Sequence, residues 1–119
     1  MTSILKTITI NTEKMQDMVS FFSALGVAMQ VTNVKNGSVS YRGNMGDLEI
    51  GLFSIAKREK RLSPDLSLRI QVENISEVLI KLQQISGVEV LMSMQELPFG
   101  KMAVVLDPDG HSVELYDER

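Results

Sequence analysis

The sequence predicts an α+β fold built from two βαβββ modules, and three observations carry that expectation. One order of elements, a strand, a helix closed by glycine and three short apolar segments, is written twice along 119 residues. The spacings agree: Thr7 precedes Gly26 by 19 positions and Ser67 precedes Gly87 by 20, while Thr7 precedes Glu49 by 42 and Ser67 precedes Glu114 by 47. Each half also ends by running a glycine-containing turn into a strand whose glutamate sits among apolar residues, GNMGDLEIGLFS in the first and DPDGHSVELYDER in the second. A carboxylate buried inside a strand without a partner is costly. Glu49 and Glu114 are therefore expected to hold something, to be held by a partner, or to face water at a sheet edge.

The elements follow in order. Residues 4 to 10, ILKTITI, are rich in β-branched residues and alternate in part, with Ile4, Ile8 and Ile10 apolar against Lys6, Thr7 and Thr9, as a strand requires. From Glu13 to Leu25 the residues Met15, Met18, Val19, Phe22 and Leu25 recur at helical spacing, and Gly26 supplies the stop. Of the neighbouring Phe21 and Phe22, the second fits the buried stripe better. Segments 27–34, 38–43 and 47–54, separated by KNG and GNMG, read as an antiparallel meander. SIAKREKRLSP then forms a charged connection, so the chain is expected to be one domain of modules 1–54 and 65–119 joined by a linker at 55–64. In LSLRIQV the residues Leu66, Leu68, Ile70 and Val72 take one strand face, and Ser67, Arg69 and Gln71 the other. Asn74, with Glu77 three residues on, is read as the cap of a second helix whose stripe is Ile75, Val78, Leu79, Leu82 and Ile85. Strands at 88–93, 101–106 and 111–116 complete the second module, the last two joined by DPDG. A small sheet with a helix on one face needs cover for the other, and two modules can provide it for each other, so a pocket is expected on the concave side between them.

Composition narrows the function. The chain is 44% hydrophobic and 23% charged, with no apolar run of membrane-spanning length, which fits a soluble domain. The N-terminus lacks the charged, apolar and cleavage regions of a signal peptide, and there are no cysteines; both point to the cytoplasm and remove disulfides, thiolate metal sites and cysteine nucleophiles. A net charge of −3, 5% aromatics and no basic cluster beyond KREKR argue against a nucleic-acid surface. KREKR itself reads as a solvated face. The single histidine, His111, follows the DPDG turn, where it is read as a turn or surface residue rather than a ligand or general base. Met92, Met94, Phe99 and Met102 can line an adaptable apolar wall, although filling the core is the simpler use.

MQDMVSFFSALGV, SLRIQVENISEVLIKLQQISGVEV and above all DPDGHSVELYDE resemble the vicinal oxygen chelate superfamily, which includes glyoxalase I, extradiol dioxygenases, fosfomycin resistance enzymes and bleomycin-binding proteins. The resemblance covers nearly the whole chain and implies paired βαβββ modules that form a cupped mixed sheet with helices outside, often in a homodimer. Enzymes of that family commonly hold one divalent metal with a ligand on the first and last strand of each module. Carried over by position, the last-strand ligands fall on Glu49 and Glu114, while the first-strand positions hold Thr7 and Ser67 in place of histidine. Zinc and iron sites usually need three or more protein ligands with imidazole or thiolate help; magnesium or manganese can be held by two carboxylates plus substrate oxygens. Arg69, two residues after Ser67 and on the same strand face, can supply positive charge beside the glutamates instead.

The expectation is therefore a protein that binds a small molecule near Thr7, Thr9, Glu49, Ser67, Arg69 and Glu114 without a metal, similar to the drug-sequestering branch. The alternative is a magnesium- or manganese-dependent lyase, isomerase or dioxygenase that works through Glu49 and Glu114. A third reading is an interaction protein whose ancestral site has decayed. No nucleic-acid or membrane partner is expected.

Overall fold

The structure is a computed structural model that describes residues 5–35, 38–54 and 67–118. The linker 55–64 with its KREKR run, Ile4, Leu66 and the Asn36–Gly37 part of the KNG turn lie outside the described residues. The chain divides into two compact units, Met1–Lys60 and Arg61–Arg119.

The first unit contains β1 (Thr7–Thr12), α1 (Met15–Ala24), β2 (Gln30–Lys35), β3 (Ser38–Met45) and β4 (Leu48–Ser54), in the sheet order β1-β4-β3-β2. β1 and β4 run parallel, with Thr7 opposite Glu49; β3 and β4 are antiparallel, with Asn44 opposite Glu49 and Arg42 opposite Gly51. Alternation sends Ile10, Ile50 and Leu52 toward α1, where they are buried, and leaves Thr7, Thr9 and Asn11 exposed on the other face. α1 begins where Thr12 Oγ1 accepts from the backbone N–H of Lys14 at 2.8 Å. It ends at Gly26, whose φ of +95° only glycine adopts without strain, while Val27 N–H bonds back to the Phe22 carbonyl. Met18 and both phenylalanines are fully buried on α1. The expectation that Phe22 alone takes the core is thus corrected: the two rings meet edge to face at 5.4 Å, so the buried stripe is wider than one row.

The second unit repeats the order with β5 (Ser67–Gln71), α2 (Ile75–Leu82), β6 (Glu89–Leu97), β7 (Gly100–Leu106) and β8 (Ser112–Glu118), sheet order β5-β8-β7-β6. Its core is Val72, Ile75, Leu82, Ala103, Val105, Val113 and Leu115, the strand members facing α2. Asn74 caps α2 by accepting from Glu77 N–H at 3.2 Å, and Asp117 Oδ2 accepts from Ile75 N–H at 3.3 Å, which ties the helix start to β8. The methionine cluster is not core: Met94 and Phe99 are exposed and Met92 and Met102 half-buried, because bulges in the β6–β7 pairing break the alternation that would turn β6 inward.

Both units are therefore α+β, each with a four-stranded mixed sheet and one helix on one face. No helix among the described residues is long and apolar enough to cross a membrane.

Candidate functional site

The sheet face away from α1 carries the first unit's polar residues in two rows. Pairing places Thr7, Glu49 and Asn44 side by side on β1, β4 and β3, and one step along it aligns Thr9, Gly51, Arg42 and Gln30. Period-two alternation puts both rows on one face. Arg42 Nη1 lies 2.8 Å from Glu49 Oε1, and Thr7 Oγ1 donates to the same oxygen at 3.2 Å. Phe53, two residues beyond Gly51, lies with its ring centroid 5.7 Å from the Arg42 Cζ. The guanidinium thus spans from carboxylate to ring over a glycine. Thr9 stands on the far side of that glycine: a Cβ at Gly51 would lie 3.8 Å from both Thr9 Oγ1 and Arg42 Nη1.

Beside this corner lies a groove of about 510 Å³, lined by Ala28, Gln30, Thr32, Arg42, Asn44 and Glu49 among others. Gly43 lets residues 27–29 pack directly against β3, since a Cβ there would come within 2.7 Å of Met29 Sδ and Val27 Cγ1 and 2.9 Å of the Ala28 carbonyl. Arg42 was not among the residues singled out from sequence. GNMG at 43–46 suggested that the segment before it ends at 43, whereas the tight turn is Gly46–Asp47, with Met45 paired to Leu48. A register counted from that turn would have placed Arg42 two positions beyond the residue facing Glu49, and on its face.

In the second unit Arg69 and Glu114 face each other across β5 and β8, with Nε 3.3 Å from Oε2, and the Arg69 guanidinium lies 4.7 Å from the Tyr116 ring. The expected partnership of Arg69 with a strand glutamate is found here for Glu114. Ser67 is opposite Ser112, so the residue in register with Glu114 is Arg69.

Within each unit taken singly, the donors fall short of the three or more protein ligands of a zinc or iron site. Around Glu49 they are one carboxylate and one hydroxyl, with a guanidinium at 2.8 Å occupying the place of a cation; around Glu114 the neighbour is again a guanidinium. Among the described residues no three histidine, cysteine, aspartate or glutamate side chains group as ligands.

His111 is not a surface residue. It is 2% exposed, with Nδ1 3.0 Å from Asp107 Oδ2, and Asp107 Oδ1 accepts from the N–H groups of His111 at 2.9 Å and Asp109 at 3.0 Å. The hydrogen bond to Asp107 raises the imidazole pKa from its usual 6.5 against the opposing effect of burial, with the charges of Asp107 and Asp109 adding to the rise. Asp107 thus fastens the turn into β8. The sequence marked the turn, but only packing buries its histidine.

The family description Glyoxalase/Bleomycin resistance protein/Dioxygenase superfamily matches residues 4–115. Among solved structures, a glyoxalase/bleomycin resistance protein/dioxygenase family enzyme from Burkholderia phytofirmans PsJN superposes with a TM-score of 0.74 at 14% identity, covering 98% of this chain and all of that one. TioX from Micromonospora sp. ML1 gives 0.73 at 11% identity, with 98% and 100% covered. An antibiotic binding protein from Streptomyces sp. CB03234 gives 0.67 at 15% identity, with 99% and 98% covered. At such identities the likeness is one of fold. Among curated proteins none matches significantly.

Proposed function

The chain belongs to the Glyoxalase/Bleomycin resistance protein/Dioxygenase superfamily, and from that premise we propose that it is a metal-independent small-molecule binding protein with its site in the groove beside Thr7, Arg42 and Glu49. The observation that carries this reading is the Arg42–Glu49 contact of 2.8 Å: a guanidinium already balances the carboxylate at one of the family's metal-ligand positions. Two further features support it. Thr7, in the first-strand position, donates to the glutamate and is a weak metal donor, and the antibiotic binding protein from Streptomyces sp. CB03234 has the same fold. Thr9, Ser67, Arg69 and Glu114 complete the polar faces of the two sheets, Arg69 balancing Glu114 as Arg42 balances Glu49. The same reading has the protein cytoplasmic and homodimeric, supported by the cysteine-free composition and the prevalence of two-fold assemblies.

The test is thermal unfolding of EDTA-treated protein against a library of planar and polar small molecules, and separately against Mg²⁺, Mn²⁺, Ni²⁺, Zn²⁺ and Fe²⁺. A binder is stabilised by its ligand with no metal added, because a ligand that favours the folded state raises the midpoint. Saturable stabilisation by one ion, lost in both Glu49→Gln and Glu114→Gln, would reverse the reading in favour of a metal enzyme.

A further inference from the structure

Resting on the binding reading above, we propose that the ligand of the first unit's groove is a neutral planar ring carrying a cis amide edge, N–H beside C=O, as in a lactam or imide. The Arg42–Glu49 pair touches at one point. Nη1 and the Thr7 hydroxyl both meet Oε1, at 2.8 and 3.2 Å, whereas a fork-to-fork pair would occupy both carboxylate oxygens. Among the described residues, Oε2 has no hydrogen-bond partner, and of the five N–H donors on a guanidinium only one, on Nη1, is used. An acceptor and a set of donors therefore remain open on a pair whose two residues both line the groove. Their complement is a donor beside an acceptor: ligand N–H to Oε2, and ligand C=O accepting from the guanidinium.

Charge selects among candidate edges. A carboxylate ligand brings only acceptors and sets a negative charge against Oε2. An amidinium brings only donors and sets a positive charge against Arg42. A neutral cis amide satisfies both sides, and its plane follows from amide resonance. The groove, about 510 Å³ and bordered by the small Ala28 and Gly43, has space for a bicyclic ring, and the Gln30 and Asn44 side chains on its lining can bond further polar atoms.

The experiment is a titration of the ¹⁵N-labelled full chain with 2-quinolinone, 1-methyl-2-quinolinone, quinaldate and benzamidinium, read at the backbone amides of Gly43, Asn44 and Glu49. The expected result is saturable shifts with 2-quinolinone and binding at least about tenfold weaker for its N-methyl analogue, which lacks the donor. Arg42→Leu and Glu49→Leu should each weaken 2-quinolinone binding by a similar factor while the signals of residues 67–118 stay in place. Glu49→Gln, which keeps an acceptor oxygen and the side-chain shape, should weaken it less than Glu49→Leu. Equal binding of the N-methyl compound, or tighter binding of either charged probe at these amides, would overturn the ligand class and leave the binding reading standing. No shift with any of the four compounds would also overturn the class, and the thermal screen then decides the broader reading by itself.

Discussion

The two units place a glutamate at the same topological point, the inner strand parallel to the first, yet they secure it differently. Glu49 on β4 is balanced by Arg42 from its antiparallel neighbour β3, with Thr7 of β1 adding a hydroxyl. Glu114 on β8 is balanced by Arg69 from its parallel neighbour β5. The turns that lead into these strands differ more. Gly46–Asp47 is an exposed two-residue turn, whereas the turn from Asp107 to His111 is built on a buried aspartate that accepts from three donors. The same charge placement is thus reached through different strands, so balancing the carboxylate is the shared feature and the route to it is not.

The difference between the turns gives the largest expected effect. Asp107→Ala removes the acceptor for two backbone N–H groups and a buried imidazole, and should cost about 3–5 kcal/mol in denaturant unfolding. Asp47→Ala, in the exposed turn, should stay within about 0.5 kcal/mol. Equal losses would show that the two turns serve the same purpose.

Two glycines sharpen the contrast within the first unit. Gly43→Ala forces a Cβ to within 2.9 Å of the Ala28 carbonyl and should destabilise by about 1–3 kcal/mol. Gly51→Ala meets neighbours only from 3.5 Å outward and should be neutral or stabilising by up to about 1 kcal/mol, since alanine has less chain entropy to lose. Thermal midpoints of the two variants should therefore move apart.

The buried imidazole makes the second unit sensitive to pH. His111 has a raised pKa in the folded state, so its contribution is fully present below the ordinary value of 6.5 and is lost as pH rises through the folded value. The midpoint should accordingly fall as pH is raised above 6.5, with a flatter profile in His111→Gln. A wild-type profile that rises over that interval would place the imidazole in the folded state as the neutral form. The first unit has no histidine.

The arginine variants lie near the small end of the scale. Arg42→Leu and Arg69→Leu break half-exposed ion pairs and contacts with Phe53 and Tyr116, and each should cost no more than about 1 kcal/mol. If the binding reading holds, Arg42→Leu is a functional lesion with little effect on folding. A loss of several kcal/mol would instead make Arg42 a structural residue and remove the main support for the groove.

Much of this molecule was legible as a string of residues because the relevant forces are local. Alternation in TITI and SLRIQ fixes which strand face turns inward, and Gly26 ends α1 at positive φ; α2 stops earlier than the spacing suggested, at Leu82 with Gln83 as its cap, so Ile85 and Gly87 lie beyond it. The repeat of these signals gave two βαβββ units, and the carboxylates of Glu49 and Glu114 stood out because an acidic residue among apolar ones needs a reason. Strand register, turn packing and burial were decided by tertiary structure. Register places Arg42 across from Gly51 and between Glu49 and Phe53, and pairs Arg69 instead of Ser67 with Glu114. Packing turns the lone histidine from an outlying turn residue into a buried partner of Asp107. A side chain's face follows from its own strand, but its partner follows from the strand alongside, and only the assembled sheet fixes which residues those are.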